Sequence, residues 1–128
     1  MEKARHTISR GLVFSLEKFA LTSQKIKKEN LHLIKDVGFN NYEYNNFQKL
    51  RYFGLVGKGD EIGEWFITTK GKWFLNGSHA IEKSVTTFRN VVLEKSTDII
   101  NIKDIVKDRT SDYWQKQFSY QTQTSKLF

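Results

Sequence analysis

Apolar positions in the first half of the chain recur at helical spacing in two places and at strand spacing in others. Over residues 7–22, Ile8, Leu12, Val13, Leu16, Phe19 and Ala20 fall on one helical face, with Thr7 placed as the N-cap. The polar stretch SQKIKKEN, residues 23–30, reads as a loop. Leu31-His32-Leu33 alternates as a very short strand, and Ile34 to Val37 opens a short helix that Gly38 stops. The strongest signal follows. From about Tyr42 to Phe53 a helix turns Phe47, Leu50 and Phe53 inward. Asn40 and Glu43 stand at capping-box spacing, and Gly54 sits where a left-handed C-cap is wanted.

Leu55-Val56 then starts a strand, and GKGDEIG, residues 57–63, is a turn of residues that tolerate positive φ. Glu64 to Thr68 returns as a second strand, and Thr69 opens a helix that ends at Gly77. Helix, short strand, helix, helix, two-stranded hairpin, helix is the order of a winged helix-turn-helix. The last third changes character. Val85–Phe88, Val91–Leu93 and Ile99–Ile102 are short, β-branched runs separated by polar turns. Residues 103–118 read as helical, with a break over Asp108 to Ser111, and SYQTQTSKLF as a frayed tail whose Leu127-Phe128 is free to dock. The expected class is α+β: a winged helix-turn-helix domain over residues 1–78, then a β-rich extension and C-terminal helix over residues 79–128. Strand 84–88 would offer a homodimer edge if nothing covers it.

Composition narrows the chemistry. A chain of 128 residues buries a core without disulfides or metal, and 14% aromatic content makes that core rich in Phe, Trp and Tyr. The absence of cysteine excludes disulfides, Cys-ligated zinc and thiol catalysis. MEKARHTISR is charged and leads into no signal-peptide core. No run approaches the roughly 18 apolar residues of a membrane span. A cytoplasmic, soluble protein is expected, with no membrane partner. Its net charge of +7 favours an anionic partner, nucleic acid before others. Residues 1–75 hold 13 bases against 8 acids, so most of the excess lies in the N-terminal part.

If Phe47 and Leu50 point inward, the outer faces of the 42–53 helix carry Asn45, Asn46, Gln48, Lys49, Arg51 and Tyr52. Asn and Gln read an adenine edge bidentately, and Lys and Arg reach guanine or phosphate. Any solvated helix in an Asn- and Lys-rich protein carries the same mixture. Lys58 on the hairpin, and Lys70 and Lys72 at the next helix start, would add phosphate contacts. Asp60, Glu61 and Glu64 share that hairpin, and one Lys against three acids is the wrong sign for duplex affinity. Gly57, Gly59 and Gly63 miss the G-x-G-x-x-G spacing by one residue and read as turn glycines. Trp65, Phe66, Trp73 and Phe74 read as core before stacking platform, although strand alternation sends one of Trp65 and Phe66 outward, where it could stack on a base or anchor a partner. Lys25 to Lys28 read as a solvated basic run with phosphate contact as the alternative. His6, His32 and His79 lie far apart, without ligand spacing, so neither a metal site, a cofactor nor catalysis is expected.

The block Asn46-Phe47-Gln48-Lys49-Leu50-Arg51-Tyr52-Phe53-Gly54-Leu55 is similar to the DYxKLRYWGLI block of a group of uncharacterised phage and bacterial winged-helix proteins. Trp65 to Gly71 looks like their YWRxTEKG segment, Phe74 to Gly77 like FVRG, and Leu31 to Val37 like VHVRDV. Their strand-rich continuation is matched from Ile81 to Asp104, so the likeness runs from about residue 8 to 118. The cysteine knuckle with which many of them begin is missing here, and no metal carries over. The resemblance implies the fold and a phage or mobile-element setting. Two functions follow as expectations. One is a small winged-helix regulator that binds nucleic acid, double-stranded DNA first. The other is a phage-encoded inhibitor, for example an anti-CRISPR or other anti-defence protein, that grips a host protein with the same scaffold.

Overall fold

The computed structural model describes residues 2–120. They form a mixed α+β structure with five α-helices and three small antiparallel sheets. The expected docking of Leu127-Phe128 lies outside the described residues.

Strand β1 (Ala4–Thr7) precedes helix α1 (Arg10–Ile26). Ser9, not Thr7, caps α1, its hydroxyl accepting from the Leu12 N–H, because Thr7 is already in the strand. The helix continues through residues expected to be loop, until Lys27 turns left-handed at φ 57° and hands its N–H to the Ser23 carbonyl. Strand β2 (Leu31–His32) is followed by a tight turn instead of a short helix. His32 Nδ1 accepts the N–H groups of Ile34 and Lys35, and Asp36 accepts from the His32 N–H at 2.7 Å. These local bonds compete with helical pairing.

Helix α2 (Asn41–Lys49) begins with a complete capping box between Asn40 and Glu43 and tightens into a 3₁₀ turn over Leu50–Phe53. Gly54 closes it at φ 74°, a conformation that favours glycine. Strands β3 (Val56–Lys58) and β4 (Glu64–Ile67) form the hairpin, and β2 pairs with the other edge of β4, giving the order β2-β4-β3. Helix α3 (Thr69–Leu75) is capped by Thr68. Trp65 is buried and Phe66 half-buried, as alternation requires.

Strands β5 (Ile81–Glu82), β6 (Ser84–Phe88), β7 (Val91–Lys95) and β8 (Ile99–Ile100) precede α4 (Ile102–Ile105) and α5 (Tyr113–Gln117). The second sheet runs β1-β6-β7, so β6 is central and the 84–88 segment offers no free edge. β7 is the flank, with Val91 and Leu93 exposed. The core runs as one cluster from Ile8 to Phe118. Phe47 stands at its centre, stacked on Phe19 at 4.9 Å and meeting Trp65 edge-on at 5.9 Å.

Candidate nucleic-acid interface

The outward face of α2 and the 3₁₀ turn after it divides the expected residues into three groups. Asn45 and Lys49 are exposed, and Gln48 and Arg51 are half-buried at the mouth of open clefts. Asn46 is a correction: it is only 7% exposed. It sits one turn before Leu50 on the packed stripe, and Gly11 of α1 leaves room for its amide and for the Tyr42 hydroxyl. That amide cannot read a base.

Tyr52 is half-buried and its hydroxyl is already engaged. It donates to Asn90 Oδ1 at 2.6 Å and accepts from the Arg51 guanidinium at 2.9 Å. Arg51 also lies over the Tyr52 ring at 4.8 Å, so this pair makes a fixed wall.

Of the flanking lysines, Lys58 is exposed and lines the cleft with Gln48 and Arg51. Lys70 instead pairs with Glu82 at 3.2 Å, and Lys72 with Glu29 at 3.2 Å. Lys72 belongs to a separate cleft with Phe19, Gln24 and Tyr120. Neither α3 lysine joins the α2 face. Lys28, from the expected basic run, lies 3.9 Å from both Asp36 and Glu64.

Two adjoining clefts meet at Gln48 and Arg51. One, of about 470 Å³, lies between α2 and the hairpin and holds Tyr44, Lys58, Asp60, Glu61 and Glu64. The other, of about 370 Å³, holds His6, Asn45, Lys49 and Tyr52 and has no carboxylate in its lining. The face is therefore divided, acidic toward the hairpin and basic toward β1. Among the described residues Lys49, Arg51, Lys58 and Arg89 enter no ion pair, whereas eight other bases do. Other described bases, such as Arg5, Lys25, Lys35 and Lys83, are unpaired as well, so what sets this face apart is that Lys49 and Arg51 line one open cleft together.

His6, Tyr44 and Asn90 reach the site without any signal at sequence level that places them there. His6 arrives because β1 pairs with β6, and its ring stacks on Tyr52 at 4.8 Å. Burial holds its pKa below the ordinary value, and the positive charges of Lys49 and Arg51 push in the same direction. Among the described residues no group of His, Asp and Glu is arranged to hold a metal ion, and no helix is long and apolar enough to cross a membrane.

Compared with protein-family models, with curated proteins and with solved structures, the chain has no match.

Proposed function

We propose that the protein is a winged-helix nucleic-acid-binding protein, a small regulator in a phage or mobile-element setting, which presents the end of α2 to its ligand. The unpaired bases Lys49 and Arg51, lining one cleft with exposed Asn45 and half-buried Gln48, carry this reading. Phosphate neutralisation by such bases supplies most non-specific affinity, and the amides are suited to base edges. The acidic hairpin confines the contact to the basic half of the α2 face. A fluorescence titration with duplex DNA at low salt tests it. Lys49→Ala with Arg51→Ala should weaken binding about 10- to 100-fold and lower the slope of log affinity against log salt by about 2. Lys70→Ala with Lys72→Ala should change little, since both lysines are spent on internal pairs. Binding that ignores the first pair overturns the reading.

One observation favours the second reading, a host-protein inhibitor of the anti-CRISPR or anti-defence kind. Ile62, at the hairpin tip between acidic neighbours, is 100% exposed. An apolar side chain raised this way is a natural anchor for a protein socket rimmed by bases. Ile62→Asp should then abolish a complex recovered from host lysate after nuclease treatment, while Lys49→Ala with Arg51→Ala leaves it intact. Equal recovery by the Ile62 variant counts against it.

A further inference from the structure

His6 lies 39 residues before Asn45 in sequence, yet it lines the same cleft. Register His6↔Val85 swings the ring over Tyr52, with the planes 25° apart. Its Nε2 stands 3.0 Å from the hydroxyl of buried Thr87 on β6. One ring nitrogen is therefore fixed by the sheet. Among the described residues every other charged group that faces the ring is a cation: Lys49 from α2 and Arg51 from the 3₁₀ turn. From β6 it meets the neutral Thr87, and from the 3₁₀ turn the neutral phenol of Tyr52. Three nitrogen bases converge on one open cleft that, among the described residues, no carboxylate lines.

We propose that this cleft is a phosphodiester site, in which the His6 imidazole takes up one proton from solvent as a phosphate group settles among it, Lys49 and Arg51. The inference rests on the nucleic-acid reading and names the chemical group bound and the third residue that holds it. In the free protein partial burial, then the neighbouring cations Lys49 and Arg51, hold the ring's pKa below its ordinary value and favour the neutral form. A phosphate in the cleft offsets both cations and offers an acceptor, so the charged ring becomes favourable. The sign of the linkage follows: the bound form carries the extra proton, so affinity rises as pH falls.

The test uses the whole protein, a short mixed-sequence DNA duplex, and tripolyphosphate as a probe without bases. Affinity for the duplex should rise about three- to tenfold between about pH 7.5 and about pH 5.5. His6→Phe keeps an aromatic ring on Tyr52 and should lose that gain, leaving affinity flat across the same pH range. In proton NMR of the wild type, the His6 ring should titrate at higher pH with either probe present than without one. Duplex binding with an unmoved His6 titration overturns the phosphodiester site and leaves the nucleic-acid reading standing. A His6 shift with tripolyphosphate but no duplex binding keeps the site and sinks that reading. Should His6→Phe fail to fold, the wild-type titration alone decides.

Discussion

Replacing Gly71 by alanine is expected to cost about 3–5 kcal/mol of stability, enough to unfold much of a protein of ordinary marginal stability. The cause is contact, since Gly71 needs no unusual backbone angle. A Cβ there would lie 2.1 Å from the Leu55 carbonyl oxygen and 2.7 Å from Ile67 Cγ2. That carbonyl is not free to retreat, because it accepts the Thr68 N–H at 3.0 Å while the Thr68 hydroxyl donates to the Gly54 carbonyl at 2.6 Å. Moving α3 away would break both bonds and the cap that Thr68 gives to the Gly71 N–H. Gly54→Ala makes the comparison. At φ 74° it meets only the flexible end of Lys70, so its cost is the conformational one of about 1 kcal/mol. Thermal and urea unfolding of the two variants should rank Gly71→Ala well below Gly54→Ala. The opposite order would show that α3 is free to lift from the Gly54–Leu55 turn.

Much of the local structure was legible because it is written locally. The Asn40–Glu43 capping box, the Gly54 stop and the inward stripe of Phe47, Leu50 and Phe53 each need only residues a few positions apart. The losses are tertiary. β1 is four polar or small residues, Ala-Arg-His-Thr, with no apolar alternation, and it becomes a strand only because β6 lies alongside to pair with it. The two-residue strand β5 depends on β8 in the same way. Asn46 is polar, yet its four-residue spacing to Leu50 puts it on the packed side of the helix. The missing information was Gly11 on another helix.

The same division explains the candidate site. Which bases are present is a property of the sequence, whereas which bases are free is a property of the fold. Lys70 and Lys72 carry the same formal charge as Lys49, yet Glu82 and Glu29 hold them and leave Lys49 to act outward. The hairpin acids were visible in the sequence. That they share a cleft with Gln48 and Arg51, so that the face has a positive and a negative half, required coordinates. His6 shows the limit most plainly, because no spacing links it to the helix it serves.

The second large effect expected concerns the far end of the chain. Arg109→Ala should lower stability by about 3 kcal/mol and the melting temperature by roughly 10 °C. Glu17, on the buried face of α1, is 7% exposed, and its carboxylate receives both arms of the Arg109 guanidinium and the Tyr113 hydroxyl at 2.8 Å. The guanidinium also lies over Phe14, Tyr113 and Trp114 at 5.4, 4.4 and 4.8 Å. Removing it strips the charge partner from a carboxylate that has little access to water, and uncouples the segment before α5 from α1. Glu17→Gln is the milder change, about 1–2 kcal/mol, because the cation keeps its three rings and some solvent. The triad has a pH signature as well. Burial, and then the bond to Glu17, raise the Tyr113 pKa above its ordinary value, so the stability this adds is whole below about pH 10 and is lost as pH climbs through the raised value. Tyr113→Phe should therefore flatten the alkaline limb of a stability–pH curve. Melting curves in which Arg109→Ala and Glu17→Gln fall equally, or neither falls, would show that the pair is not what fastens α5 to α1.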